Sequence, residues 1–423
     1  MNIVFGGLSV IIVIYSAFFI VYKLFEKSGI SFSKIKTNSI NNTYLPSSKE
    51  CFRVFGIALL IRIIIILMSI VIYSIFVHRE GPINIIGALN NWIKWDASHY
   101  ITISNGYASF AETGRYVTLV FFPLYPIFIK ILGLLVSKVI AGLIISNLFF
   151  ALACVFIYRL VNIDYGNNTA KKTLLLINVL PFSFFFSAIM SESTFMLFSA
   201  MTLYYIRKHK WFLVGIFGCL CALSRSLGVF IIFPALVELI DEYELIKNIK
   251  KIKYVINIIL TKALPLILIP LGLGIYLYCN YRITGDWFYF LKMQKEIWFQ
   301  TYNHFFLFFR INFQTLKSFD SNFVLCVTIP QLISVITAYI VLLFNVKKSR
   351  ALYSAWLLIN IVVNTSMSWP LSVTRYLLCA IPLYIFIADN LKKHQRLYQF
   401  FIILNAILLG IYFTAYLMNL QIY

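Results

Sequence analysis

The chain has 423 residues, of which 61% are hydrophobic and only 12% charged, and its mean hydropathy is +0.87. Soluble globular domains are roughly 25% charged, so soluble fold classes are excluded and an all-α polytopic membrane protein is expected. The net charge of +21 reads as cationic cytoplasmic loops, because no soluble basic-aromatic module is present to bind nucleic acid.

In chain order, residues 3–22 are long and apolar enough to span a bilayer. They lack a leading basic region and a small-residue cleavage signal, so an anchor is expected rather than a signal peptide. A polar stretch with six Lys/Arg follows to Arg53, and residues 54–77 span next. Residues 117–136 are apolar but broken by Pro123 and Pro126. Further apolar runs cover residues 139–161, 174–189, 194–206, 212–223, 227–240, 263–280, 323–345, 352–369, 371–388 and 398–418. The expectation is about twelve transmembrane helices plus one re-entrant or interfacial helix at the Pro-broken segment. Irregular backbone at that depth is tolerated only against protein or a wet cavity. The division is an N-terminal anchor with a basic loop (1–53) and a polytopic domain (54–423), with external loops at 78–116 and 281–322.

Sidedness follows from Lys and Arg. With the N-terminus outside and residues 117–136 not crossing, six stretches assigned to the cytoplasm hold 23 of the 36 Lys/Arg, against 12 outside. Arg62 lies within its span near the cytoplasmic end and reads as snorkelling. The seven cysteines lie almost wholly in apolar runs without a CxxC, so they read as packing residues, and no metal or other cofactor is expected.

Seven acids then face outside: Glu80, Asp96, Glu112, Glu192, Asp286, Glu296 and Asp320. Asp96 stands in NWIKWDASHYITISNGYA (residues 91–108), with Trp95 before it and His99 and Tyr100 at i+3 and i+4. Two readings stand. A carboxylate beside an imidazole at a membrane surface suits proton abstraction from a hydroxyl. Equally, Asp is a favoured helix N-cap. His99 alone reads as an interfacial hydrogen-bonding residue, and nothing has zinc-ligand spacing. Arg225 and Arg375 each sit between apolar runs beside serines. They either snorkel or clamp a lipid phosphate with their planar forks. Glu192 could pair with one of them or simply end a helix.

Several motifs together resemble the PIG-V family of membrane mannosyltransferases, which share the C-type glycosyltransferase architecture. They are WDASHY (95–100), FFPLYP (121–126), LPFSFFFSAIMSESTF (180–195), SRSLG (224–228) and TRYLLCAIPL (374–383). GDWFYFLKMQKEIW (285–298) resembles the family's second loop. The N-terminal 53 residues lie outside the resemblance, and WPLSVTRY is looser than the family's Pro-Arg-Tyr. The resemblance implies an inverting transfer of a hexose, mannose in this family, from a polyprenyl-phosphate donor to an extracytoplasmic lipid or glycan acceptor. Asp96 would be the base with His99 beside it, and Arg225 and Arg375 would bind the donor phosphate. Trp95, Tyr100, Glu192, Asp286 and Gln294 would contact substrate. Eukaryotic members act in GPI-anchor biosynthesis in the endoplasmic reticulum. The Lys/Ile/Asn-rich usage here points instead to a bacterial plasma membrane. A transporter or flippase of lipid-linked sugars is the alternative from another class; it would place charges at mid-membrane.

Overall fold

The computed structural model describes residues 2–26, 46–78, 82–110 and 114–422. Most of the basic loop before Arg53, together with Glu80 and Glu112, lies outside them. Helices α1 (Asn2–Glu26) and α2 (Ser48–Ile72) come first. A capping box starts α2, with the Ser47 hydroxyl accepting from the Glu50 N–H and the Glu50 carboxylate accepting from the Ser47 N–H. The interval after α2 holds α3 (Ile85–Asn90) and α4 (Asp96–Ile103), and α5 (Leu124–Leu132) follows a 3-10 turn. Then come α6 (Lys138–Asp164), α7 (Gly166–Val179), α8 (Glu192–Arg207), α9 (Trp211–Ser224) and α10 (Ile232–Glu242). Helix α11 (Ile252–Ile258) continues through a π-helical turn and a 3-10 turn into α12 (Leu268–Thr284). The second interval contains α13 (Tyr289–Glu296) and α14 (Phe308–Ser318). A short α15 (Ser321–Phe323) leads into α16 (Ile329–Asn345), and α17 (Ala351–Thr365), α18 (Val373–Leu377), α19 (Ile381–Asn390) and α20 (Gln395–Leu417) complete the chain. Among the described residues the only β pairing is an isolated antiparallel bridge between Tyr302 and Met367.

Among the described residues, six helices are long and apolar enough to cross a membrane: Val4–Glu26, Ser48–His78, Lys138–Asp164, Ile252–Thr284, Ser321–Asn345 and Gln395–Leu417. The other apolar runs form shorter or broken helices. The clearest break is in the run 174–189. Helix α7 stops at Val179 because Pro181 forces the residue before it out of the helical region, and Leu180 is accordingly extended with ψ 147°. Residues 182–191 then run as an irregular, wholly buried segment. Backbone at membrane depth survives only if its polar groups are met internally.

Arg62 meets part of that need, which corrects the snorkelling expectation. It is completely buried. Its guanidinium donates to the Ser183 carbonyl (2.7 Å), to the Asn178 carbonyl (3.0 Å) and to Asn178 Oδ1 (3.3 Å). The cause is packing: α2 lies along α6 and turns the Arg62 face inward, over the Phe150 ring at 4.6 Å.

Helix α6 is the hub, packed on α2, α7 and α8. The outer face of α2 is instead a run of exposed apolar groups, Ile57, Leu60, Ile63, Ile64, Leu67 and Val71. Lipid is the solvent that suits such a face. Helix α1 packs against α14, α16 and α17, with Phe5 5.5 Å from Phe309 and Lys23 donating to the Val346 carbonyl.

Charges collect at the two ends of α8. Glu192 and Arg207 are its first and last residues, about 22 Å apart at 1.5 Å per residue. At the Arg207 end a buried network ties four helices together. Arg207 binds Asp164 through two 2.8 Å contacts and Glu238 at 2.6 Å. Arg350 reaches Glu238 at 3.4 Å, and the Tyr353 hydroxyl donates to Asp164 at 2.7 Å.

Candidate active site

Four chain breaks at the Glu192 end bring the site together. The first is at Trp95, whose φ of 51° is positive. Such a conformation costs a non-glycine residue roughly 1–3 kcal/mol and persists only where surrounding contacts enforce it. It makes Asp96 the first residue of α4, with no side-chain cap bond at that end. The Asp96 carboxylate instead accepts from Arg375 Nη2 at 2.6 Å. The geometry therefore does not use Asp96 as an N-cap.

The second break is the irregular segment before α8, which presents Ser191 and Glu192. The third is at Arg225, extended (φ −159°, ψ 151°) between α9 and a 3-10 turn. Gly228 permits that turn to fold back, since a Cβ there would lie 2.2 Å from the Cys221 carbonyl oxygen. The fourth is the short helix α18, carrying Arg375 and Tyr376.

The charged groups form a chain. Arg375 Nε lies 2.8 Å from Glu192 Oε1 in an ion pair whose N–H is not aligned as a hydrogen bond. Arg225 Nη1 contacts the same oxygen at 3.1 Å. Glu192 is 1% exposed and its second oxygen, Oε2, has no hydrogen-bond partner. The Arg225 guanidinium also lies over the Tyr376 ring at 4.4 Å. The order is thus Asp96, Arg375, Glu192, Arg225: two carboxylates and two guanidiniums with no net charge.

This chain borders a chamber of about 430 Å³. Trp95, Asp96, His99, Tyr100, Arg225, Gln294 and Arg375 all line it. Glu192 does not; it sits behind the arginines as their shared counter-ion. Asp286 does not either. Its carboxylate pairs with Lys292 at 3.4 Å and accepts from the Phe288 N–H. The Tyr100 hydroxyl donates to Ser191 Oγ at 2.9 Å. Burial keeps that phenol well above its ordinary range, so it remains a donor.

His99 stacks on Phe121 (5.1 Å) and meets Trp298 edge-on (5.4 Å). Burial lowers its pKa from the ordinary value, with the Asp96 charge opposing. Lys94, just before Trp95, donates to the Leu417 carbonyl at 2.9 Å and to Asn419 Oδ1, tying this loop to the end of α20. Its burial brings the amine down to about 8.

Sequence reasoning missed the far wall. Gln300, Tyr302, Asn364 and Met367 line the chamber too. They meet because residues 300–303 pair with 366–369: the Thr301 N–H donates to Ser368 Oγ (2.9 Å) and the Asn303 N–H to the Ser366 carbonyl (2.9 Å). Nothing in their spacing announces a pairing across some 65 residues. Elsewhere, His209, Glu238 and Glu242 have the make-up of a metal site, with ligand atoms within 4.8 Å of one another. Glu238 Oε1 is already held by Arg207 and Arg350 there. The seven cysteines are all unpaired.

Fold and site define the class: an all-helical integral membrane protein with a charged chamber at one end of its bundle. Residues 82–285 match the family model described as Mannosyltransferase (PIG-V), so the family named by the motifs is the family whose model matches. The match covers the Asp96, Glu192 and Arg225 motifs and stops before Trp298 and Arg375. It supports a membrane glycosyltransferase. No curated protein matches the chain.

Proposed function

We propose that the chamber is the active site of a transferase moving a hexose, taken here as mannose, from a polyprenyl-phosphate donor to a glycolipid or glycan acceptor. The observation that carries this reading is the chain Asp96–Arg375–Glu192–Arg225 along one chamber wall. In support, a carboxylate and two guanidiniums, the groups such a transfer needs for a proton and a phosphate, border the same chamber.

The reaction is a single inverting displacement. The acceptor hydroxyl oxygen attacks the sugar's anomeric carbon as the bond from that carbon to the phosphate oxygen breaks. The bonding pair stays with the phosphate, which leaves as polyprenyl phosphate. Asp96 takes the hydroxyl proton. Arg225 faces the phosphate with its planar fork, while Glu192 holds it in place. Arg375, hydrogen-bonded to Asp96 and ion-paired with Glu192, orients Asp96 and follows the growing phosphate charge once Asp96 is neutral. Neutral His99 packs on Phe121 and Trp298 and shapes the acceptor side.

The same reading takes the chain through the bilayer about twelve times, with α5 at the interface and the chamber on the extracytoplasmic face of a bacterial plasma membrane. In support, α5 has nine residues, about 13 Å, under half of a roughly 30 Å hydrocarbon core. The deciding experiment incubates purified protein with polyprenyl-phosphate hexoses and membrane lipid extracts, with products read by mass spectrometry. Transfer of one hexose from the donor supports the reading. Donor moved across a vesicle membrane without transfer would replace it with a flippase.

A further inference from the structure

We propose that Arg62 is a positioning residue for the transfer site, setting the place of Glu192 from inside the membrane. Pro181 ends α7 and strips its last carbonyls of helical partners. Asn178 and Ser183 are buried, so those carbonyls need partners from within the protein. Arg62 supplies the donors: it binds the Asn178 carbonyl at the end of α7 and the Ser183 carbonyl beyond the break. Among the described residues no carboxylate pairs with this cation within ion-pair distance. Its partners are backbone oxygens at a helix C-terminus, where a cation is favoured, the Asn178 side chain and the Phe150 ring at 4.6 Å.

From Ser183 the chain runs nine residues to Glu192, buried throughout. Further bonds keep that segment stiff. Ser193 Oγ donates to the Phe186 carbonyl at 2.7 Å, Tyr100 to Ser191, and Cys379 Sγ to the Glu192 carbonyl at 3.6 Å. A shift at Ser183 is therefore passed on to Glu192, and from Glu192 to both arginines.

The kinetic test rests on the proposed transferase reading; the second test does not. Arg62→Met keeps an unbranched chain of similar reach and removes the cost of burying a charge, so the variant should assemble. Its kcat should fall by about tenfold or more, yet in a Glu192→Gln background the same change should cost less than about twofold, because the linked element is already lost. Equal losses in both backgrounds, or an unchanged kcat, overturn the proposal. Ser183→Ala, whose hydroxyl donates to the same Asn178 carbonyl at 2.8 Å, carries the same cycle if Arg62→Met fails to assemble.

The activity-free test alkylates the protein with N-ethylmaleimide and reads each cysteine peptide by mass spectrometry. Cys379 is fully buried against Glu192, and Cys326 is a buried control on another helix. In Arg62→Met or Ser183→Ala, Cys379 should react at least about tenfold faster while Cys326 is unchanged, as local opening requires. Unchanged Cys379, or equal acceleration of both, overturns the proposal. Wild-type protein that transfers no hexose would instead sink the transferase reading and leave this arm to decide on Arg62.

Discussion

Replacing Asp96 with Asn tests the proposed chemistry most directly, because it keeps the shape of the side chain and removes its capacity to take a proton. Loss of a general base costs about 10²–10⁴ in rate, or about 2.7–5.4 kcal/mol on the barrier at 1.36 kcal/mol per tenfold. The fold should lose less. Arg375 keeps Glu192 at 2.8 Å, and the Asn oxygen can still accept from its Nη2. The penalty is then on the order of 1–2 kcal/mol, the scale of one weakened hydrogen bond, not the roughly 3–5 kcal/mol of stranding a buried charge. Donor binding should hold or tighten, since the chamber loses a negative charge facing an anionic ligand. The assay is single-turnover transfer from a polyprenyl-phosphate hexose in nanodiscs, with thermal unfolding on the same samples. Transfer within about threefold of wild type would refute Asp96 as the base. A loss matched by unfolded protein would make its part structural.

Arg225→Lys keeps the charge but not the fork that faces the proposed phosphate, so donor KM should rise about tenfold with assembly intact; unchanged KM would remove Arg225 from phosphate binding. His99 has a pKa lowered by burial, so its contribution to stability is full above its ordinary value of about 6.5 and is lost as pH falls through the lower folded value. Wild-type melting temperature should therefore drop more steeply below pH 6.5 than that of His99→Phe, and parallel curves would refute the assignment. A reporter after Lys210 should read cytoplasmic and one between Asn303 and Ser318 external; the reverse would move the chamber to the other face.

What was legible in the sequence was what hydropathy and local chemistry encode. The long helices α1, α2, α6 and α20 follow from uninterrupted apolar runs, and Pro123 and Pro126 fall at the start of the short helix α5. Asp96, Arg225 and Arg375 stood out because charge is rare beside such runs, and they do share one chamber. Three things were hidden. The break at Leu180 was signalled by Pro181, but the apolar run continued past it and looked like a span. Arg62 looked like a snorkelling side chain because its partners are carbonyls more than a hundred residues away, invisible to any charge pattern. Asp286 looked like a site acid from its motif, yet the α12 turn leaves it bonded to Lys292 at the surface.

The arrangement also explains why the site holds two acids of such different exposure. Asp96 is 20% exposed and opens on the chamber, whereas Glu192 is 1% exposed and cut off from it. A group that receives a proton from a substrate must touch that substrate. Glu192 does not line the chamber, and it meets two guanidiniums on one oxygen. Without it, two like charges would sit side by side in a buried wall, repelling each other and free to swing. In the proposed mechanism Glu192 therefore keeps its charge throughout while Asp96 loses its own. The donor phosphodiester brings one negative charge; on departure it carries a second, and Asp96 has been neutralised by the acceptor's proton. The total charge of the chamber is the same before and after the transfer. Arg375 lies between the group that loses charge and the arginine that faces the group gaining it. A Lys offers all its donors from one atom, whereas a guanidinium reaches Asp96 through Nη2 and Glu192 through Nε, two nitrogens set apart on one rigid plane. Arg375→Lys should for that reason lower kcat more than it raises donor KM, the reverse of Arg225→Lys, and the same pattern in both variants would show that the two arginines share one task.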